Sequence, residues 1–181
     1  QEAQKHDYLA GTSQMMMNDE GKLIISSTEG CHEPTRYALG QISTYLSIPR
    51  DYARRMWEDS PKLLASNINH WLYQRQERRM IRTLGEKLRA FLSDRYKVMD
   101  NYPLLEMITP VFRQHDLQIV SSNLSEEKMF IKALSPRLKT DVRVGDAVQA
   151  GLCISNSEVG AGSLSVKPLI YRLVCENGMV T

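Results

Sequence analysis

The densest group of side chains that could do chemistry is a run of basic residues between positions 72 and 100. It holds eight basic and four acidic side chains, a local charge of +4 in a chain whose formal net charge is +2. Clustered cations attract the phosphates of a polyanion such as nucleic acid. We therefore predict that these residues bind nucleic acid: Arg75, Arg78, Arg79, Arg82, Lys87, Arg89, Arg95 and Lys97.

Aromatic side chains accompany these cations. In a strand, alternate residues share a face, so Phe91 shares one with Arg89, and Phe130 lies beside Lys128 and Lys132. Proteins that bind single strands without sequence preference combine such cations with rings on which bases stack. We add Phe91, Phe130, Lys128 and Lys132 to the predicted interface, with Tyr171 as a further stacking candidate. The alternative is a solvated surface on which Glu77, Glu86 and Asp94 pair with the basic residues.

A second kind of chemistry is possible around Gly160-Ala161-Gly162. Successive backbone amides in such a turn can cradle an anion, but no helix N-terminus follows, and a turn that tolerates positive φ explains the glycines. With Glu158 and Asp146 nearby, a metal-dependent nuclease-like enzyme stays open as an alternative. No second carboxylate at fixed spacing supports acid–base catalysis by Glu158.

Composition sets the remaining bounds. Cys31, Cys153 and Cys175 contain no CxxC pair, Cys31-His32 has no partner motif, and we predict no metal, no cofactor and no catalytic residue. No apolar run approaches the ~20 residues that a membrane span needs. The start lacks the features of a signal peptide. We predict a cytoplasmic protein that does not act on a membrane, and the abrupt end suggests a piece of a longer chain.

Three helices are predicted near the beginning of the chain. Thr35 can cap the first, which runs to about Ser47, and Pro49 and Pro61 mark the starts of the next two. A hairpin follows over 80–98, with its turn at 84–87, and then a helix from about Asp100 to Gln114.

The C-terminal part reads as antiparallel strands. The predicted strands cover 117–121, 128–134, 147–154 and 164–175, with a loop over 136–143. In the last strand, Val166 and Ile170 lie on one side, and Lys167 and Tyr171 on the other. Segregated helices and strands predict an α+β fold, with N-terminal helices, a mainly antiparallel sheet with long hairpins and a packed helix. We predict three parts: a polar segment with a short strand (1–34), a helical subregion (35–72), and the sheet with its helix (73–181).

Two blocks of sequence resemble a known family. GEKLRAFLSDRYKVMDN and ISNSEVGAGSLSVKPLIYRLVCENGM are similar to the phage- and plasmid-encoded family catalogued as domain of unknown function 932. The resemblance covers about Thr35 to the end. It implies a bacterial phage, plasmid or other mobile element as the setting, and it brings no catalytic residue with it.

The order of elements is also similar in topology to Rad52-type single-strand annealing proteins. That resemblance implies a homo-oligomeric ring or filament that holds single-stranded DNA in a basic groove without a cofactor. The leading prediction is therefore a non-enzymatic single-stranded nucleic-acid-binding protein that acts in DNA recombination or annealing. A third possibility is a protein-binding accessory module whose hairpins add strands to a partner.

Overall fold

The computed structural model describes residues 4–26, 30–143 and 146–173. It divides into two compact units, Gln1–Lys97 and Val98–Thr181. The described ranges contain four α-helices and ten strands in two mostly antiparallel sheets, which confirms the predicted α+β class. The three-part division stays a prediction; both of its boundaries fall within the first unit.

The helices of the first unit begin where the sequence predicts. They are α1 (Arg36–Tyr45), α2 (Arg50–Asp59) and α3 (Pro61–Gln74). The Thr35 hydroxyl accepts a hydrogen bond from the Ala38 amide at 3.2 Å, which satisfies one of the free amides of the first turn of α1. Pro61 occupies the first turn of α3, where its missing N–H costs nothing.

Six strands form the sheet of the first unit. They are β1 (Lys5–Gly11), β2 (Met15–Met17), β3 (Leu23–Ile25), β4 (Cys31–Pro34), β5 (Arg78–Leu84) and β6 (Lys87–Ser93), in the order β1-β5-β6-β4-β3-β2. The hairpin β5–β6 is therefore not joined to the C-terminal strands as the sequence suggested. It pairs with β1 on one side and, in parallel, with β4 on the other.

One apolar core joins this sheet to the helices. It includes Ile42 of α1, Ile68 of α3 and Phe91 of β6, all at most 2% exposed. The side chain of Gln41 on α1 also accepts a hydrogen bond from the Phe91 amide at 2.9 Å. Helix α1 is thereby held against β6 by packing and by a directional contact.

The second unit is a four-stranded antiparallel sheet with one helix, α4 (Asn101–Gln114). Its strands are β7 (Gln118–Leu124), β8 (Met129–Arg143), β9 (Asp146–Asn156) and β10 (Ser165–Leu173), in the order β10-β9-β8-β7. Ile131, Ala133 and Ile154 pack with Leu104 and Phe112 of α4 in a second apolar core. In the described residues, β10 is an edge strand, and it contains Pro168.

One predicted loop is wrong. The segment 136–143 is predicted to be a loop, but β8 continues through it to Arg143. A break in register between Leu134 and Lys139 absorbs Pro136, after which β8 and β9 pair again. The predicted end of the last strand, at 174 and 175, lies outside the described residues.

In the described ranges, no helix combines the length and the apolar character required to cross a bilayer.

Candidate nucleic-acid interface

The alternation of side chains along β5 places the arginines of the basic run (72–100) on different faces of the strand. In β5, Arg79 shares a face with Ile81, which packs into the core, whereas Arg78 and Arg82 project to the other side. Neighbouring positions in a strand cannot point the same way. The three arginines therefore do not form the single positive surface that their proximity in sequence suggested.

Arg82 must be removed from the predicted interface. Its side chain is 3% exposed, and its Nε donates to the Asp7 carboxylate at 2.8 Å. Asp7 is the residue directly opposite Arg82 in the β1–β5 pair. The guanidinium therefore forms an ion pair that links β1 and β5.

Phe91 must also be removed. Both faces of β6 are covered, since Ala90 and Leu92 on one side are at most 7% exposed and Phe91 on the other is 2% exposed. A buried ring cannot stack on a base. The Phe91 ring instead contacts Tyr45, with ring centroids 5.4 Å apart, and lies 5.1 Å from the Arg79 guanidinium carbon.

The other basic residues of the run have varied surroundings. Lys87 forms an ion pair with Glu33, and Arg89, half-buried, lies where the β5–β6 register shifts. Arg75 is half-buried, whereas Arg78, Arg95 and Lys97 are exposed. Exposed cations are thus present here, but the described residues do not arrange them as one row.

The second unit carries a more regular surface, which we call the outer sheet face. It is the side of the sheet opposite α4, and the strand register aligns its residues in rows. One row contains Ser121, Lys132, Cys153 and Lys167, and the next contains Asn123, Phe130, Ser155 and Ser165. Lys132 and Lys167 are exposed, and Phe130 is 41% exposed.

A third row extends this face along the long hairpin. Lys139, Gln149 and Tyr171 are aligned there, with Tyr171 46% exposed. None of the three rows contains a carboxylate. This concentration of cations is local, because residues 98–181 contain eight basic and nine acidic side chains in total.

Lys128 differs from the other predicted residues of this unit. It is half-buried, and its ammonium end lies against Gly162, where an added Cβ would be 3.1 Å from Nζ. Its side chain therefore lies against the loop 157–164 and is not aligned in the rows of the outer sheet face.

That loop has a structural role that the sequence did not reveal. Glu158 is 5% exposed, and its Oε1 accepts a hydrogen bond from the Asn101 amide at 2.9 Å, where α4 begins. The Asn156 side chain donates to the Met99 carbonyl and to the Asn101 side chain. A carboxylate at a helix N-terminus satisfies a free amide and is favoured by the helix dipole.

Ser157 closes the same loop. Its hydroxyl donates to the Glu127 carbonyl at 2.7 Å and accepts from the amides of Val159 and Ala161. Gly160 has φ of 80°, a left-handed conformation that favours glycine. The amides that could have cradled an anion are therefore partly used within the loop, and Glu158 is used to hold α4.

No group of three or more metal-ligating side chains occurs in the residues that the structure describes. The side chain of Asp146, the other acid of the nuclease alternative, lies outside the described residues.

Two lysines of the outer sheet face, Lys139 and Lys167, were missed in the predicted site. Lys167 was assigned to the correct side of its strand, together with Tyr171, but it was not connected to Lys132, because that connection needs the register of β8, β9 and β10. Lys139 was missed because its segment was predicted to be a loop. The two-residue period of β10 was the signal that could have found Lys167.

A family model described as Domain of unknown function (DUF932) matches residues 90–181, just over half of the chain. No curated protein and no solved structure shows significant similarity to the chain.

Proposed function

The chain belongs to the family described as Domain of unknown function (DUF932), and because that description assigns no activity, we propose from its side chains that it binds single-stranded nucleic acid. The site is the outer sheet face. The observation that carries the proposal is the alignment of Lys132 with Lys167 in one row, next to the exposed ring of Phe130 in another.

The spacing of these groups suits a flexible polyanion. Adjacent strands are ~4.8 Å apart, so the backbones at Lys132 and Lys167 are separated by ~10 Å. Their ammonium groups can approach successive phosphates of an extended strand, while Phe130 and Tyr171 provide flat surfaces for bases. Ser121, Asn123 and Ser155 add hydrogen-bonding groups without negative charge.

Such a surface recognises the backbone and the faces of bases, and it does not read base edges. Lysine ammonium groups act as point charges, and stacking is tolerant of sequence. Binding should therefore show little sequence preference and should weaken with salt. Neither a cofactor nor a catalytic group is needed for this function.

The wider role belongs to the same proposal. DNA recombination or annealing and assembly into a homo-oligomer are proposed from the resemblance in topology, and the phage or plasmid setting in a bacterial cytoplasm is proposed from the sequence resemblance. Arg78, Arg95 and Lys97 remain proposed phosphate contacts, since they are exposed. The outer sheet face supports only the proposed contact with nucleic acid, and it does not support the wider role.

A fluorescence anisotropy titration with labelled oligothymidylate tests the contact. The double variant Lys132→Gln/Lys167→Gln should raise Kd about tenfold, and removing two phosphate contacts should reduce the magnitude of the log–log salt slope by about 1.4. The matched control is Lys22→Gln/Lys62→Gln, which removes two lysines paired with Glu20 and Asp19 in the other unit. Equal affinities for the two double variants would contradict the proposal.

A further inference from the structure

Strand β7 is an open edge of the sheet in the second unit. In the described residues, the two edges of that sheet are β7 and β10. Edge strands are commonly protected from pairing with other chains by proline or by charged side chains. β10 contains Pro168, Lys167 and Arg172, whereas β7 contains no proline and no charged residue. All seven residues of β7 are exposed, and the register shift at Val120 interrupts only its beginning. The backbone of β7 is therefore open to a further strand.

The two ends of β7 carry complementary apolar features. Leu124, at the end of the strand, is 72% exposed. At the start of the strand, a pocket of about 540 Å³ opens beside the end of α4, with an apolar lining of Phe112, Leu117, Ile119 and Pro136. Leu124 and Ile119 both pair with residues of β8 that pack against α4. The exposed leucine and the pocket therefore lie on the same side of the sheet.

The two ends of β7 also differ in charge. The turn after the strand, at 126–128, holds two glutamates and one lysine, a charge of −1. Arg113, at the rim of the pocket, is exposed and forms no ion pair in the described ranges, whereas Asp116 beside it pairs with Arg137. The pocket end is therefore positive and the other end negative. Two copies of β7 that run antiparallel bring opposite charges together, and parallel copies would bring like charges together.

We propose that two copies of this chain associate by antiparallel pairing of β7 with β7, about a twofold axis at Ser122. Ser122 then lies opposite itself, and Leu124 lies opposite Ile119 of the other copy, where it enters the pocket. Val120 stays outside the pairing, as it does in the pair with β8. A twofold interface must be complementary to itself, and β7 meets that condition because its apolar and charged features are reversed from one end to the other.

The pairing extends the outer sheet face across both copies. The two four-stranded sheets become one continuous sheet, with both outer sheet faces on the same side. Ser121 lies opposite Asn123 of the other copy, so the lysine row of one copy continues into the row of the other that contains Phe130. The inference gives the homo-oligomer of the proposed function a specific contact, and to that extent it rests on that function. Within the described residues, the edges that remain are the two β10 strands, where Pro168 disfavours further strand addition.

Sedimentation velocity of the full chain without nucleic acid tests the contact. The unmodified chain should show a monomer–dimer equilibrium that depends on concentration. Leu124→Lys should raise the dimer dissociation constant by about tenfold or more, because its ammonium group would be placed in an apolar pocket beside Arg113. Ile170→Lys is the matched control, since Ile170 is 77% exposed on the β10 edge, and it should dimerise as the unmodified chain does. A chain that stays monomeric up to about 100 μM, or equal dissociation constants for the two variants, would overturn the proposal.

A charge exchange tests the antiparallel orientation. Arg113→Glu should weaken the dimer, because the pocket end then has the same sign of charge as the turn that faces it. Adding Glu127→Arg to Arg113→Glu should restore the dimer toward the affinity of the unmodified chain. A double variant that dimerises no better than Arg113→Glu alone would overturn the antiparallel pairing.

The same measurements separate this inference from the proposed function. Lys132→Gln/Lys167→Gln should dimerise as the unmodified chain does, because neither lysine is in β7. A chain that remains monomeric, but whose binding of oligothymidylate is weakened by that double variant, would overturn the dimer alone. A dimer whose affinity for oligothymidylate is unaffected by the double variant would contradict the proposed function alone.

Discussion

The carboxylate of Glu158 accepts a hydrogen bond from the backbone amide of Asn101 at 2.9 Å. The loop with the most distinctive sequence in the chain is thus tied to the first residue of α4. Glu158, a candidate catalytic acid in the nuclease alternative, therefore has a structural role. That role can be measured as its contribution to the free energy of unfolding.

Glu158→Ala should lower the free energy of unfolding by about 1–2 kcal/mol, because α4 loses an acceptor and a favourable charge at its N-terminus. Glu158→Gln should cost less, since an amide oxygen can still accept. Urea unfolding followed by circular dichroism measures both, with exposed Glu126→Gln as control. An unchanged midpoint together with loss of a metal-dependent DNA cleavage would favour the nuclease alternative.

The two phenylalanines of the predicted interface should respond in opposite ways. Phe130→Ala should weaken oligonucleotide binding by about 1–3 kcal/mol, the usual contribution of one stacked base, with little change in stability. Phe91→Ala should lower stability by about 3–5 kcal/mol, because its ring is 2% exposed. Anisotropy and thermal unfolding measured on both variants give the comparison. A Phe130→Ala variant that binds normally would remove stacking from the proposal.

Acidification should destabilise the first unit through His32. This side chain is 6% exposed, and burial, with a smaller contribution from His6, lowers its pKa, while the Gly85 backbone partly opposes the shift. The unfolded chain, with a histidine pKa near 6.5, therefore takes up a proton first as pH falls. The stabilisation is present above pH ~6.5 and is lost below it, at no more than about 1.4 kcal/mol per pH unit.

Urea midpoints between pH 7.5 and 5.5 measure this effect. His32→Leu should flatten the profile in that range, whereas the exposed His70→Gln should leave it as in the unmodified chain. Profiles that are identical for His32→Leu and the unmodified chain would assign the pH dependence to other groups.

Gly151→Ala should disrupt the pairing of β8 with β9. A Cβ at this position would lie 2.1 Å from the Ala133 carbonyl oxygen and 2.8 Å from Leu134 Cδ2, so backbone would have to move. We expect a loss of about 1–3 kcal/mol in thermal unfolding. Gly162→Ala is the control, because it meets only the flexible end of Lys128. Equal losses in the two variants would contradict this explanation.

Local signals in the sequence predicted the helices, the 80–98 hairpin and the C-terminal hairpins well, whereas only one of the four strands in the first 34 residues was predicted. Thr35, Pro49 and Pro61 act through their nearest neighbours, and each marks the start of a helix in the structure. The same holds for the turn at Gly85, whose φ is 56°. Caps and turns depend on a few consecutive residues, so they can be predicted without knowledge of the fold.

Long-range pairing could not be predicted in the same way. Nothing near Arg82 shows that Asp7 lies opposite it, and the alternation in β6 does not show that both of its faces are covered. Two of the predicted nucleic-acid contacts, Arg82 and Phe91, were wrong for this reason. The outer sheet face likewise emerges only when Lys132 and Lys167 are aligned by the register of three strands.

Pro168 has a consequence for how copies of the chain could associate. A proline in an edge strand has no amide hydrogen to donate to a strand added from another molecule. The hydrogen-bonded pairing of such a strand with β10 would therefore be interrupted at Pro168. In the proposed complex with nucleic acid, molecules bound along one polynucleotide would lie side by side at high local concentration. Any ordered assembly past this edge would then depend on side-chain contacts, and fibrous aggregation from it would be disfavoured.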